Sequence, residues 1–242
     1  MITALREART ALVPDLEGRH GPLPPLLLAL TLVTGLVDAF SYLVLGHVFV
    51  ANMTGNVVFM AFSLAGAGGF SLTASLVSLL SFMTGALLGG RLGHRPPHHR
   101  GRLLLITTTA QLLLVTVAYL LGLNADDPGH GGMRMTLIVL LGLAMGLQNA
   151  AVRRLAVPDL TTTVLTLTVT GIAADSRPAG GPGSRAGVRA LSTVTMFLGA
   201  FIGALLIKDA SSEAPLLATA VILVAITTLL VPHRRSTRPW SS

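Results

Sequence analysis

Residues 35–56 read GLVDAFSYLVLGHVFVANMTGN, and a related stretch, GLQNAAVRRLAVPDLTTTVLT, occupies residues 146–166. The two stretches begin about 111 residues apart, and each places a polar residue, Asp38 or Asn149, three positions after its first glycine. Both stretches lie in strongly apolar surroundings, where polar side chains are costly. A polar pattern that recurs in such surroundings indicates an internal duplication.

The composition assigns the chain to a class of protein. It is 52% hydrophobic and 11% charged, with a mean hydropathy of +0.73. A soluble domain carries about 25% charged residues. The chain therefore has too little polar surface for an ordinary globular domain, and the lipid bilayer is its expected main solvent and partner.

Charge and motifs exclude several functions. The net charge of +7 does not indicate nucleic acid as a partner, because the basic residues sit in short loops between apolar segments. The chain contains no cysteine, which excludes thiolate metal sites and a cysteine nucleophile. It also lacks a nucleotide-binding loop, a zinc helix motif and a nucleophile elbow. We expect no cofactor, no metal and no enzymatic activity.

Eight apolar segments follow one another along the chain. Six of them approach the roughly 20 residues that a membrane-spanning helix needs. The second and sixth segments are interrupted by polar residues, and the sixth is also short. The predicted segments are residues 25–46, 48–66, 72–93 and 103–123 in the first half, and residues 135–152, 160–174, 188–207 and 215–231 in the second half.

The positions of lysine and arginine predict the orientation of these segments. If the N-terminus is cytoplasmic and the two polar segments do not cross, fifteen of the seventeen basic residues lie inside, and only Arg134 and Lys208 lie outside. If both polar segments crossed, four arginines between residues 91 and 102 would move outside, against the positive-inside tendency. Those inside arginines are residues 6, 9, 19, 91, 95, 100, 102, 153, 154, 177, 185, 189, 234, 235 and 238.

Three crossings per repeat make the two repeats inverted. The predicted fold is an all-α polytopic membrane protein with about six transmembrane helices in two inverted repeats, plus two broken or re-entrant polar segments. An eight-crossing, parallel arrangement is the alternative. The predicted organisation is a cytoplasmic tail (1–24), a first repeat (25–123), an external loop (124–134), a second repeat (135–231) and a cytoplasmic tail (232–242), in the inner membrane of a bacterium.

Asp38 is the sharpest single candidate for chemistry, because it is the only acidic residue well inside an apolar segment. It shares a helical polar stripe with Ser41 and Tyr42, so the stripe should face protein or water. One interpretation is a carboxylate that couples transport to a proton or cation. The other is a buried hydrogen-bonding group that holds the repeat interfaces together.

The remaining candidates lie in the broken segments and in the second copy. Asn52, Thr54 and Asn56 supply small polar groups that either coordinate a solute or satisfy a re-entrant turn. Arg153 either recognises an anion, pairs with Asp38, or anchors the helix at the headgroups. In the second copy, Asn149 replaces the carboxylate by an amide. The other candidates of that copy are Gln148, Thr162 and Thr163.

The stretch GLVDAFSYLVLGHVFVANMTGNVVF, followed by MGLQNAAVRRLAVPDLTTTVLT, resembles the YoaK-like family of bacterial integral membrane proteins of unknown function. The resemblance covers nearly the whole chain and implies an inner-membrane protein with about six helices. It implies no substrate, cofactor or catalytic residue. Members of that family often carry a Thr-Gly pair in the second motif, whereas this chain has Thr166-Leu167 there. The resemblance therefore implies a second broken segment that is more regular than the first.

Two functions follow as hypotheses. Inverted duplication with polar groups inside the membrane is typical of small secondary transporters or permeases, with a small solute or a proton as cargo. The alternative is a non-transporting interaction or assembly protein in which the same polar groups serve packing. Pairs of small residues such as Gly85/Gly89, Gly142/Gly146 and Gly199/Gly203 favour close helix approach, and a homo-oligomer is compatible with either hypothesis.

Overall fold

The computed structural model describes residues 2–94, 99–163, 165–176, 179–181 and 185–241. Arg95 and Arg177, which belong to the charge pattern above, lie outside the described residues. The α-helices are α1 (Ile2–Leu12), α2 (Leu23–Leu43), α3 (Met53–Leu64), α4 (Leu72–Gly93), α5 (Arg100–Leu123), α6 (Gly131–Leu155), α7 (Leu165–Ala174), α8 (Ala186–Asp209) and α9 (Ala214–Leu230).

Six helices are long and apolar enough to cross a membrane: α2, α4, α5, α6, α8 and α9. The two polar segments form α3 and α7, which have only 12 and 10 residues. At about 1.5 Å per residue these helices are about half as long as the roughly 30 Å hydrocarbon core. The prediction of six spanning helices and two additional short segments is confirmed.

The two repeats, α2–α5 and α6–α9, run in opposite directions. The amide of Gln148 on α6 contacts Leu30 and Thr34 in the first half of α2. Arg134, near the start of α6, instead contacts Leu45 just beyond the end of α2. Residue numbers rise along α6 as they fall along α2, so these equivalent helices are antiparallel. The duplication is therefore inverted, and the parallel eight-crossing alternative is wrong.

Close contacts between glycine-bearing helices join the two repeats. A side chain added at Gly85 of α4 would overlap the backbone oxygen of Leu143 on α6, and one at Gly146 of α6 would overlap that of Phe82. The equivalent pair is α2 and α8, where a side chain at Gly199 would overlap the backbone oxygen of Leu32. Small residues permit such approach of two backbones. Each repeat thus packs its third helix against the first helix of the other.

Two arginines at opposite faces of the bundle satisfy helix C-termini. Arg134 donates from Nε to the Leu45 carbonyl at 2.6 Å and from Nη2 to the Gly46 carbonyl at 3.0 Å, at the end of α2. Arg100 donates from Nη2 to the Leu155 carbonyl at the end of α6. The last carbonyls of a helix have no partner within the helix, so Arg100 completes the terminus of α6, while Arg134 holds the turn that follows α2.

We call the end of the bundle where α2, α5 and α8 begin the arginine-rich face. Segments from both ends of the described chain pack there. Trp240 is fully buried against Gly21 and Gly101. Helix α1 packs against α8 and α2, with Ala11 buried in the interface. The sequence pattern indicated only tails at these positions, because α1 is too short and too charged to resemble a spanning helix.

Candidate functional site

The chain turns back into the membrane after α2. Nδ1 of His47 donates to the Gly69 carbonyl, 3.1 Å away, at the face of the bundle opposite the arginine-rich face. Four residues later, the N–H of Ala51 donates to Oδ1 of Asp38 at 3.1 Å. Asp38 lies about 7.5 Å before the end of α2. The non-helical residues 47–52 therefore run into the membrane and α3 runs back out, and together they form the first re-entrant segment (residues 47–64).

Asn56 fastens this segment to α4. Its Oδ1 accepts the N–H of Phe49 at 2.9 Å, and its Nδ2 donates to the Phe49 carbonyl at 2.6 Å and to Oγ of Ser78 at 3.2 Å. Ser78 in turn donates to the Phe49 carbonyl at 2.6 Å. Both side chains are fully buried. The Asn56 amide thus replaces the hydrogen bonds that this non-helical backbone cannot make to itself. Of the two interpretations offered for Asn56, this is the satisfaction of a re-entrant turn.

Two polar side chains at the tip of the first re-entrant segment are exposed. Asn52 caps α3 by accepting the Gly55 N–H at 3.5 Å, and Thr54 follows in the first turn. Asn52 is adjacent to Ala51, so it lies at the depth of Asp38. An exposed amide at this depth would be costly against hydrocarbon. The tip is therefore the part of the segment that requires water or another polar surface.

Ser41 and Tyr42 do not join Asp38 in a common polar path. The Ser41 hydroxyl is buried and donates to the carbonyl of Asp38 at 3.2 Å, within its own helix. The Tyr42 ring stacks on Phe49 with centroids 5.0 Å apart and approaches His47 at the same distance. Tyr42 therefore belongs to an aromatic cluster that covers the first re-entrant segment.

The second repeat contains the equivalent hydrogen bond. Oδ1 of Asn149 accepts from the Thr163 hydroxyl at 2.6 Å, while Nδ2 donates to the Met145 carbonyl. Thr163 follows Asn149 by 14 residues, and Ala51 follows Asp38 by 13. Thr162 is buried, and its Oγ1 has no hydrogen-bond partner in the described part of the chain. In each repeat one polar residue of the first helix therefore holds the segment that turns back into the membrane.

Ion pairs, not amides, hold the second re-entrant segment (residues 156–163 and 165–175) against α8. Arg189 donates from Nε to Asp159 at 2.8 Å and from Nη1 to Asp175 at 2.6 Å, and Arg185 lies 3.1 Å from Asp159. The equivalent of Ser78 is Ser192, whose buried Oγ has no partner among the described residues. The two repeats therefore share a backbone plan and differ in the chemistry that fastens it.

Gln148 lies at the centre of the bundle. Its Nε2 donates to Oγ1 of Thr34 at 2.9 Å, and its Oε1 accepts from Nε2 of Gln111 at 2.7 Å. These contacts join α2, α5 and α6 through fully or nearly fully buried side chains. Gln111 was absent from the predicted site. Its signal was available, because it is an amide in the middle of an otherwise apolar segment.

The predicted residues do not converge on one enclosed site. Arg153 is exposed at the arginine-rich end of α6, whereas Asp38 lies beyond Thr34 toward the opposite face. Gln148 on α6 lies level with Leu30 and Thr34 on α2. Arg153 and Asp38 lie on opposite sides of this level, and the rise per residue puts them about 16 Å apart along the helix axes. The Arg153–Asp38 pair considered from the sequence does not form. Asp38 and Asn149 serve two separate, equivalent contacts instead.

These features define a polytopic, all-α membrane protein built from two inverted repeats, each with a re-entrant segment. The chain belongs to the family described as "Protein of unknown function (DUF1275)", whose model matches residues 26–229. It is 31% identical over 152 residues to the UPF0700 transmembrane protein YoaK of Bacillus subtilis (strain 168). That match covers 62% of this chain and 65% of the relative. No solved structure matches the chain.

Proposed function

We propose that the protein is a small secondary transporter or permease, and that it moves a proton or small solute across the inner membrane of a bacterium. The observation that carries this proposal is the pair of re-entrant segments entering from opposite faces of an inverted repeat. Transporters recurrently use this plan, with interrupted helices that provide polar groups within the membrane. The exposed amide of Asn52 and hydroxyl of Thr54 line the start of the path. The proposal assigns no enzymatic step to any residue.

Asp38 couples the path to protonation through its hydrogen bond with Ala51. An ionised carboxylate accepts a backbone N–H about twice as strongly as a neutral acceptor does. Protonation of Asp38 therefore weakens one of the contacts that hold residues 47–52, and the tip of the segment next to Ala51 is released. Asn149, which carries no charge, holds the equivalent segment independently of protonation. The first repeat moves and the second supports it.

The flux experiment uses proteoliposomes loaded with the pH-sensitive dye pyranine, under a potassium diffusion potential set by valinomycin. We expect protein-dependent proton flux for the wild type and a loss of about tenfold or more for Asp38→Asn. The variant keeps an acceptor for Ala51, so it loses only about 1 kcal/mol of stability. Asn149→Asp is the matched control in the other repeat. Equal fluxes for wild type and Asp38→Asn would remove Asp38 from coupling.

The second candidate function is a non-transporting interaction or assembly protein. The observation favouring it is that Asp38 and Asn149 are each engaged in a separate packing contact. On this hypothesis, Asp38→Asn and Asn52→Ala chiefly lower the thermal stability in detergent and leave no flux to measure. Lost flux in Asp38→Asn together with a stability loss of no more than about 1 kcal/mol decides for transport.

The orientation can be tested by cysteine labelling, because the chain has no native cysteine. We propose that the arginine-rich face is cytoplasmic, together with both termini. A single cysteine at Gly68, which is exposed in open space beyond α3, should react with a membrane-impermeant maleimide in intact cells. A single cysteine at Thr237 should react only after the cells are permeabilised. The reverse pattern would contradict this orientation.

A further inference from the structure

A cavity of about 610 Å³ lies at the arginine-rich face, between α1, the start of α2 and the second re-entrant segment. Four arginines line it: Arg6 and Arg9 of α1, Arg19 of the following loop, and Arg185 before α8. Arg185 is paired with Asp159. The guanidinium groups of the other three have no ion-pair or hydrogen-bond partner within the described residues. The cavity therefore presents three free cationic groups.

The charge balance within the cavity remains positive. Among the described residues that line it, Asp15 is the only carboxylate, and its Oδ1 already accepts the N–H groups of Glu17 and Gly18 at 3.2 Å each. His20 also lines the cavity, and its buried Nδ1 has no hydrogen-bond partner in the described chain. Burial lowers the pKa of His20, and the nearby positive charges of Arg100, Arg19 and Arg185 lower it further. A group that binds here must supply negative charge.

The wall beneath the arginines is apolar. It is formed by Ala11, Pro24, Val157, Leu160 and Val188, which come from α1, α2, the second re-entrant segment and α8. A site for a free inorganic anion needs no such wall. A cationic rim above an apolar wall matches an anionic group attached to a hydrocarbon body.

The position of the cavity matches the membrane surface. It opens beside Pro24 at the start of α2, which is where a spanning helix enters the hydrocarbon core. Helix α1 leaves Leu5 and Leu12 exposed, at 64% and 54%. A short helix with exposed leucines and arginines is typical of the membrane interface, where it contacts both acyl chains and headgroups. The cavity is thus at the level of the lipid phosphates.

We propose that this cavity binds a phosphate group carried on an apolar body, as in the headgroup region of an anionic phospholipid. The arginines of α1 and the loop hold the phosphate oxygens, and the apolar wall holds the adjoining carbon chain. Because Val157 and Leu160 belong to the second re-entrant segment, the bound molecule fixes that segment against α1. This proposal does not depend on the transport function.

The test measures lipid binding by native mass spectrometry of the full chain in detergent. Dioleoylphosphatidylglycerol is the probe, and dioleoylphosphatidylcholine is the zwitterionic comparison. We expect preferential binding of the anionic lipid, and a loss of about tenfold or more in the variant Arg6→Gln/Arg9→Gln/Arg19→Gln, since each arginine near a lipid surface contributes about a fivefold effect. The matched control, Arg234→Gln/Arg235→Gln/Arg238→Gln, removes the same charge from exposed residues of the same face and should bind as the wild type does.

Two further measurements distinguish a lipid from a soluble phosphate compound as the ligand. Thermal shifts with glycerol 3-phosphate and inorganic phosphate measure binding without an acyl chain. A shift that the first triple variant abolishes identifies a soluble phosphate compound, and binding of phosphatidylglycerol alone identifies a lipid. Equal lipid binding by the two triple variants, or no preference for the anionic lipid, would overturn the proposal. All variants replace exposed side chains, so their melting temperatures should match the wild type.

Discussion

Gly85→Ala is expected to weaken the packing of the two repeats. The added Cβ would overlap the backbone oxygen of Leu143 and come within 2.9 Å of its Cα. A backbone atom of the facing helix cannot rotate away as a side chain can, so α4 and α6 must separate along their whole contact. Overpacking of this kind costs about 3 kcal/mol, and the better helix propensity of alanine recovers at most about 1. We expect a lower melting temperature in detergent, which fluorescence-detected size-exclusion chromatography after heating can measure.

Gly90→Ala is the control on the same helix. A Cβ at Gly90 meets nothing within 4 Å, so only the gain in helix propensity remains. The melting temperature should stay unchanged or rise. Because the fold is duplicated, Gly199→Ala should repeat the effect of Gly85→Ala at the other interface, where the overlap is with the Leu32 oxygen. Equal melting temperatures for Gly85→Ala and Gly90→Ala would mean that the interface is looser than described.

The inverted fold follows from the sequence for physical reasons. Long apolar segments must become helices in lipid, since no other open structure satisfies its backbone there. Arginine counting then decides which segments cross, and the number of crossings decides the relative direction of the repeats. The glycine pairs indicate where helices approach closely, and Gly85 and Gly146 do face each other's helix. None of these steps requires knowledge of a distant contact.

The candidate site could be predicted only in part, because its contacts join residues far apart in the chain. The sequence shows that a carboxylate at Asp38 is costly within the membrane. Its partner, however, is the backbone N–H of Ala51, and every residue except proline carries such a group, so no side chain identifies the partner. The exposure of Asn52 and the burial of Asn56, four residues apart, depend on how α3 packs on α4. The ion pairs of Arg189 were hidden for a related reason, since its position near a helix start was explained by topology alone.

The two re-entrant segments differ in the type of contact that holds each of them in place. The first is held by neutral amide and hydroxyl groups around Phe49, together with one carboxylate contact from Asp38. The second is held by Arg189 between two carboxylates at the arginine-rich face. Charge-assisted hydrogen bonds are the stronger class. The transport proposal therefore assigns movement to the first segment, where protonation of Asp38 would weaken the one carboxylate contact.

Asn56→Ala is expected to release the first re-entrant segment from α4. The change deletes an acceptor for the Phe49 N–H and a donor to the Phe49 carbonyl, and the Asn56 side chain is fully buried. The carbonyl keeps the hydroxyl of Ser78, but the N–H is left without a partner. An unsatisfied buried donor costs about 1–3 kcal/mol and each lost hydrogen bond about 1 more, so the segment should lose about 3 kcal/mol.

Hydrogen exchange followed by mass spectrometry can measure this loss locally. Amides of residues 47–56 should exchange about a hundredfold faster in Asn56→Ala, as a loss of about 3 kcal/mol implies, while the amides of α6 keep their protection. Asn52→Ala is the matched control, because it removes the same side chain from an exposed cap with a long 3.5 Å hydrogen bond. It should cost about 1 kcal/mol or less. Asn56→Asp separates the two functions of the amide: it retains an acceptor for the Phe49 N–H but turns a carboxylate oxygen toward the Phe49 carbonyl. Exchange as fast as in Asn56→Ala would identify the donated hydrogen bond as the decisive contact, and wild-type exchange in both variants would contradict the fastening of this segment by Asn56.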